Sequence, residues 1–150
     1  MTQRIPVRFA GTGSYVPEEV ITNQHFVNYL DTSDEWIVTR TGIRERRRAA
    51  KDESTSTMAV RASRLALEDA GMTPEDIDLI VCATATGDCP FPATAAFIQD
   101  ALGMRNIAAF DIAAACAGFI HATVVASGLL GSGLRRSPAS SIRRTARSAY

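Results

Sequence analysis

The sequence predicts an α/β layered domain with a mostly parallel sheet, and three observations lead to this fold class. The apolar run at 79–83 has the continuous hydrophobic character of a strand that is covered on both faces, and a second short apolar run, which ends near Ala113, also predicts a buried strand. Segments with helical spacing of apolar residues lie before, between and after these runs. Strands that alternate with helices in this way are typical of an α/β protein.

The composition is that of a globular domain. The chain has 150 residues, of which 46% are hydrophobic and 21% charged, and this is enough for one domain with a sizeable core. No uninterrupted apolar stretch reaches the length of a membrane span, and the first residues lack the apolar region of a signal peptide. We therefore expect a cytoplasmic protein that does not enter a membrane.

The cysteines and histidines do not follow a metal-binding pattern. Cys82, Cys89 and Cys116 form no CxxC pair, and an odd number of cysteines argues against a disulfide scaffold. His25 and His121 are far apart in the sequence. We expect no metal site.

The net charge of zero conceals two different segments. Residues 1–133 contain 11 basic and 16 acidic residues, a balance of minus five. Residues 134–150 contain five arginines and no acid. We expect a domain over 1–133 that is followed by a basic, Ser- and Arg-rich tail over 134–150.

The first thirty residues predict a strand, a turn and a helix. The short, largely apolar segment 7–10 precedes Gly11 and Gly13, which indicates a strand that leads into a turn. These glycines lack the third glycine of a dinucleotide fingerprint, and Pro17 stands where the helix of that motif should begin. Asn23 is a suitable N-cap for a helix through Leu30.

The next segment predicts a short helix that carries an aromatic and a cationic residue on one face. Thr32 and Glu35 have the spacing of a capping box, and Gly42 supplies a helix stop. Trp36 and Arg40 are four residues apart and share a face. Two interpretations remain open: a core tryptophan with a cation–π neighbour, or a platform that stacks on a nucleotide and pairs with its phosphates. The basic segment that follows, 44–51, lacks interleaved aromatics, so we do not expect a specific nucleic-acid site.

The middle of the chain predicts two further helices. Residues 54–57 offer several N-caps for a helix whose apolar residues recur from Met58 to Ala70 and which ends at Gly71. A further helix begins at Pro92 and ends at Gly103. Cys82 lies within the apolar run at 79–83, which favours an inert core thiol. Cys89 lies in a proline-rich loop that no helix N-terminus faces.

Cys116 occupies the junction between the apolar run that ends near Ala113 and the apolar helix that follows Gly118. A thiol at this position faces the first unpaired N–H groups of the helix, and their partial positive charge favours the thiolate. The small residues around it leave room for a substrate. A buried, inert cysteine is the alternative, and position alone does not decide between the two.

Three segments carry a family resemblance: DTSDEWIVTRTGIRER at 31–46, FPATA at 91–95 and AFDIAAACAGF at 109–119. In this order and spacing they resemble β-ketoacyl-acyl carrier protein synthase III, the initiating condensing enzyme of fatty acid synthesis, over about residues 5–133. The resemblance implies the first half of a thiolase-like αβαβα sandwich and a homodimer. It also implies an acyltransferase that condenses an acyl-CoA such as acetyl-CoA with malonyl-acyl carrier protein, with acyl-CoA as a substrate and no cofactor.

The resemblance assigns roles to five residues. Cys116 matches the nucleophile that carries the acyl group, and its own N–H matches an oxyanion-hole donor. Trp36 matches the residue that stacks on the adenine of CoA, and Arg40 and Thr32 match neighbours in the CoA site. Phe91 matches a residue that one subunit lends to the acyl pocket of its partner.

The resemblance stops near Leu134, where the family has an apolar strand. We consider a reading-frame shift or truncation, a basic tail for an anionic partner, and a split enzyme whose second half is another chain. The catalytic His and Asn of the family have no counterpart here, so we expect no condensation from this chain alone. The alternative functions are a CoA-binding or partner module, or a fragment of a polyketide-type condensing enzyme. We also expect poor solubility or obligate association, because half of a sandwich leaves one face of the apolar helix exposed.

Overall fold

The computed structural model describes residues 7–132, which form two compact units. Val16–Ser54 is the smaller unit, and the described residues on either side of it form the larger one. Residues 134–150, where we predict a basic tail, lie outside the described residues. The elements in chain order are β1 (Glu19–Thr22), α1 (Asn23–Val27), α2 (Asp34–Thr41), β2 (Glu45–Arg48), α3 (Thr55–Ala70), β3 (Leu79–Ala83), α4 (Thr94–Ala101), β4 (Ala108–Ile112) and α5 (Gly118–Gly131), with 3₁₀ turns at Pro74–Asp76 and Ala115–Ala117.

The larger unit is built on a parallel pair of strands. β3 and β4 pair in parallel, in a register that runs from Leu79 opposite Ala108 to Ala83 opposite Ile112. Alternate residues of β3 point to opposite faces of the pair. Ile80 and Cys82 belong to a core cluster with residues of α3 and α4. Leu79 and Val81, on the opposite face, belong to a second core cluster with residues of α5. The predicted α/β layering with a parallel sheet is therefore confirmed.

Helix α5 is apolar on all sides but packs on only one of them within the described part of the chain. Ala122 and Ala126 pack against β3. Ile120 and Val124, four residues apart on the other face, are 60% and 64% exposed. This exposed face is the feature on which the predicted association depends, and the association itself stays a prediction.

The strand predicted at residues 7–10 is wrong, because this segment joins no strand ladder in the described structure. The segment that follows runs against α3 instead. A Cβ atom at Gly13 would lie 2.2 Å from the carbonyl oxygen of Ala62 and 2.4 Å from the amide nitrogen of Ala66. Gly13 therefore permits a close backbone contact with α3. This packing contact, rather than nucleotide binding, explains why glycine occurs here.

The smaller unit contains an antiparallel pair, β1 with β2, and the helices α1 and α2. The prediction that Asn23 caps the first helix is wrong: Thr22 is the N-cap residue, and the helix ends at Val27. The Asn23 side chain is 1% exposed and donates to the carboxylate of Asp34 and the carbonyl of Ile43, at 2.8 and 2.9 Å. It accepts from Arg46 at 2.8 Å. Asn23 therefore links three segments of the unit rather than capping its own helix.

Replacement of Gly13 tests the contact with α3. We expect Gly13→Ala to lower the free energy of unfolding by about 3 kcal/mol, because the added methyl group meets backbone atoms that cannot move aside. Gly128→Ala is the matched control, since nothing lies within 4 Å of a Cβ there. We expect that control to stabilise the protein by about 0.5–1 kcal/mol, because it removes a glycine from a helix interior. Urea denaturation measures both, and equal effects would contradict the contact.

Candidate functional site

Cys116 lies where the structure changes from strand to helix. β4 ends at Ile112, the 3₁₀ turn Ala115–Ala117 follows, and α5 begins at Gly118. Ala115 has φ of +43°, a left-handed conformation that is uncommon for any residue other than glycine. Cys116 is exposed, so the alternative of a buried cysteine does not hold. The turn presents the thiol outward at the beginning of the helix.

The surroundings of Cys116 suit a nucleophilic thiol. The 14 residues of α5 begin two positions after it, and the first turn of that helix contains no acidic residue. The N–H groups of a first helical turn have no partners within the helix, and their partial positive charge stabilises a nearby anion. An exposed thiol in this position can attack an electrophilic carbon and can hold an acyl group on sulfur.

The other two cysteines have different environments. Cys82 is 2% exposed on β3, and burial raises the pKa of its thiol to about 11, with a further contribution from the carboxylates of Asp111 and Asp88. Cys89 is partly buried, and its thiol donates to the carbonyl of Phe91 at 3.3 Å. The environment of Cys82 is that of the inert core thiol that the sequence predicts.

Trp36 and Arg40 form an exposed pair on α2. The Trp36 side chain is 55% exposed, so it is not the core tryptophan of the first interpretation. The guanidinium carbon of Arg40 lies 5.3 Å from the centre of the Trp36 ring, within cation–π range. The pair presents an aromatic surface and a positive charge together on the surface of the smaller unit.

The predicted capping role of Thr32 is wrong. Ser33 is the N-cap residue of α2, and its hydroxyl accepts from the Trp36 N–H at 3.0 Å. Gly42 ends the helix with φ of +71°, as predicted. The hydroxyl oxygen of Thr32 is buried and has no hydrogen-bond partner among the described residues. Thr32 thus keeps an unused donor and acceptor beside the helix that carries Trp36.

Phe91 lies at the surface of the larger unit, in the loop 84–93 that connects β3 to α4. Its side chain is 89% exposed. A phenylalanine exposed to this degree contributes little to the core of its own unit. Exposed aromatic side chains of this kind are typical of surfaces that contact another molecule.

One polar network was not predicted from the sequence. Asp111, on β4, accepts hydrogen bonds from the N–H groups of Thr94 and Ala95 at 2.7 and 2.8 Å. Asp88 accepts from the N–H of Ser56 at 2.9 Å. The sequence did contain a signal for this network, because Asp111 is an acidic residue inside an apolar strand and a buried carboxylate needs hydrogen-bond partners.

The described residues contain no group of three or more His, Cys, Asp or Glu side chains placed to hold a metal ion. None of their helices combines the length and apolar character needed to cross a bilayer.

The layered fold and the cysteine at its strand–helix junction define a thiolase-like condensing enzyme fold, and two solved structures share it. A 3-oxoacyl-[acyl-carrier-protein] synthase III from Aquifex aeolicus is 48% identical, with a TM-score of 0.79 over 83% of this chain and 40% of that chain. The priming β-ketosynthase of the R1128 polyketide pathway is 45% identical, with a TM-score of 0.81 over 86% of this chain and 39% of that one.

Sequence comparison identifies the particular relatives. The β-ketoacyl-[acyl-carrier-protein] synthase III of Symbiobacterium thermophilum is 56% identical over 129 residues. The match covers 86% of this chain, which spans about two fifths of the relative's length. No family profile matches the chain. The resemblance to β-ketoacyl-[acyl-carrier-protein] synthase III is confirmed, and the chain corresponds to the N-terminal half of that family.

The buried thiol of Cys82 predicts a pH dependence of stability. A cysteine in the unfolded chain ionises at about pH 8.5. The pKa of folded Cys82 is raised to about 11, so between these values the unfolded state binds fewer protons than the folded state. The contribution of Cys82 to the free energy of unfolding is therefore fully present below the lower value, and about 3 kcal/mol of it is lost as the pH rises through this window.

Urea denaturation of the wild type and of Cys82→Ala, across that pH window, measures this loss. We expect the variant to be less stable than the wild type at the lower end of the window, because of the cavity, and to lack this part of the decline at the upper end. Cys89→Ala is the control and should decline as the wild type does. Parallel curves for the wild type and Cys82→Ala would contradict the assignment.

Proposed function

We propose that this chain acts as the acyl-accepting half of an acyltransferase that initiates fatty acid synthesis, with Cys116 as the nucleophile. The observation that carries the proposal is the exposed thiol at the N-terminus of α5, in a chain 56% identical to a β-ketoacyl-[acyl-carrier-protein] synthase III. Acyl-CoA is the donor that the sequence resemblance implies.

The proposed step is a thioester exchange. The thiolate sulfur of Cys116 attacks the carbonyl carbon of acyl-CoA, and negative charge develops on the carbonyl oxygen. The N–H of Cys116 donates to that oxygen, as an oxyanion-hole donor does. The carbon–sulfur bond to CoA then breaks, and the CoA thiolate leaves and takes a proton from water. The acyl group remains on Cys116.

The smaller unit supplies the proposed CoA contacts. Trp36 stacks on the adenine ring, and Arg40 pairs with a phosphate group of CoA. This assignment is supported by the exposure of the Trp36 ring and by the guanidinium beside it. Thr32, which the sequence resemblance also assigns to the CoA site, directly precedes the N-cap residue of the helix that carries this pair.

The second substrate belongs to a later step. In the proposed pathway malonyl-acyl carrier protein loses CO₂, and the resulting carbanion attacks the acyl carbon on Cys116. The sequence resemblance implies that this step uses a His and an Asn, and neither His25 nor His121 matches that His in sequence context. We propose that this chain alone accepts the acyl group but does not complete the condensation.

We also propose a homodimer in which Phe91 reaches the acyl pocket of the partner, a role to which its exposure is suited.

Two other functions have specific support. The 45% identity to a priming ketosynthase of a polyketide pathway favours a polyketide-type condensing enzyme as the near alternative. The exposed Trp36–Arg40 pair is compatible with a module that binds CoA and transfers nothing.

Incubation with radiolabelled acetyl-CoA tests acyl transfer. We expect label on the wild type, retained after denaturation and released by hydroxylamine, because the acetyl group is held as a thioester. Cys116→Ala should lose the label, whereas Cys89→Ala, which removes another thiol of the same unit, should retain it. Prior treatment of the wild type with iodoacetamide should also prevent labelling.

Two outcomes would contradict acyl transfer at Cys116. One is label on Cys116→Ala equal to that on the wild type. The other is a wild type that acquires no label although added CoA still quenches its Trp36 fluorescence. This second result would support a module that binds CoA without transferring the acyl group.

A further inference from the structure

The core of the larger unit contains a cavity between β3 and the helices α3 and α4. Its volume is about 30 Å³. β3 forms one wall, α3 and α4 contribute two others, and residues just before β3 and just after α4 complete the enclosure. Most of the lining belongs to the core cluster on this face of β3, and includes Leu67, Ile77, Ile80, Cys82, Ile98 and Leu102.

The lining of this cavity is apolar and uncharged. Only Ser63 and Cys82 contribute a hydroxyl or thiol group to the part of the lining that the structure describes. The pKa of the Cys82 thiol is raised to about 11, so this group is protonated at neutral pH. The cavity therefore has no ionised side chain in its described wall.

The volume and the polarity of the cavity together select the kind of guest. A buried water needs about 10–15 Å³ and two to four hydrogen-bonding partners. There is space for a water here, but the lining side chains offer one hydroxyl and one weakly hydrogen-bonding thiol. Wall atoms that face an empty gap also lose dispersion contacts. A compact apolar guest restores these contacts without needing a hydrogen bond, so it is favoured over water.

The cavity comes nearest to solvent at α3. Nine of its ten lining residues are buried, and Ser63 is the one that is partly exposed. Ser63 and Leu67 are one turn apart on α3 and line the same space. A longer apolar side chain at position 63 would therefore extend along the face of α3 that borders the cavity.

We propose that this cavity is a binding site for a small, uncharged, apolar molecule, of the size of a xenon atom or of a hydrocarbon with two or three carbon atoms. A guest there contacts α3, β3 and α4 at once and stabilises the folded larger unit. Helix α5, which Cys116 precedes, packs on the opposite face of β3. The site is therefore independent of the proposed acyl transfer.

Xenon is the probe, because it is apolar and forms no hydrogen bonds. Methyl NMR of the full chain under increasing xenon pressure locates the binding. We expect the signals of Ile77 and Ile98, which line the cavity, to shift and to reach a plateau. Ile120 and Val124, on the exposed face of α5, report nonspecific contact and should shift in proportion to pressure.

Thermal unfolding measures the same binding by its effect on stability. At a xenon concentration about five times the dissociation constant, we expect the unfolding midpoint to rise by about 2–4 °C. Nitrogen at the same pressure is the control for the effect of pressure itself and should leave the midpoint near its value at ambient pressure.

Substitution of Ser63 fills the cavity. We expect Ser63→Leu to abolish the plateau at Ile77 and Ile98 and the rise in the unfolding midpoint. Ser127→Leu is the matched control, since Ser127 is also half-buried on a helix but does not line the cavity, and it should respond to xenon as the wild type does. Ser63→Met is a second filling variant for use if Ser63→Leu does not fold, because its unbranched side chain adapts to irregular spaces.

Two results would overturn the proposal. One is a wild type in which all four methyl groups shift in proportion to pressure without a plateau, since this shows contact with apolar surface only. The other is a folded Ser63 variant that retains the wild-type response. Because neither measurement involves Cys116, loss of acyl transfer leaves both unchanged.

Discussion

The parallel pairing of β3 with β4 determines where each functional group of the larger unit lies. Because the strands run in the same direction, their carboxyl ends meet at one edge, and both the loop 84–93 and the segment with Cys116 start from that edge. Burial of β3 on both faces places Cys82 in the core. One pairing therefore gives one thiol a high pKa and an apolar environment, and it leaves another at the surface beside a helix N-terminus.

The junction at Cys116 depends on small residues for steric reasons. Ala115 adopts a positive φ, and Gly118 lies close enough to Ala83 that a side chain would crowd it. Both allow the chain to turn sharply from the end of β4 into α5. The small residues that suggest room for a substrate in the sequence thus also serve to build the turn that exposes the thiol.

The parts of the fold that were predictable from the sequence are those fixed by local signals. The apolar run of β3, the helical spacing of α3 and the stops at Gly42 and Gly71 need no distant partner to be recognised, and the structure contains each of them. The errors concern residues whose partners are distant in sequence. Asn23 bonds to Asp34, Ile43 and Arg46 instead of capping a helix, and Gly13 is required by α3, almost fifty residues later.

The candidate site divides in the same way. The position of Cys116 at the junction and the shared face of Trp36 and Arg40 follow from spacing along the chain, whereas the exposure of Cys116 and Trp36 required the structure. The choice of Ser33 over Thr32 as the cap is a difference of one residue, and sequence preference does not separate two adjacent hydroxyl residues. The role of Asp111 depends on α4 returning to β4, which is a property of the tertiary structure.

The order in which the three thiols react with a small neutral alkylating reagent tests this account most directly. Quenched-flow alkylation with peptide mapping, in native buffer and in urea, gives a rate for each cysteine. The structure predicts that Cys116 reacts first, Cys89 more slowly, and Cys82 only at the rate of global unfolding. Native reaction of Cys82 at the rate of Cys116 would show that the β3–β4 pair does not separate the two thiols, and would contradict the account.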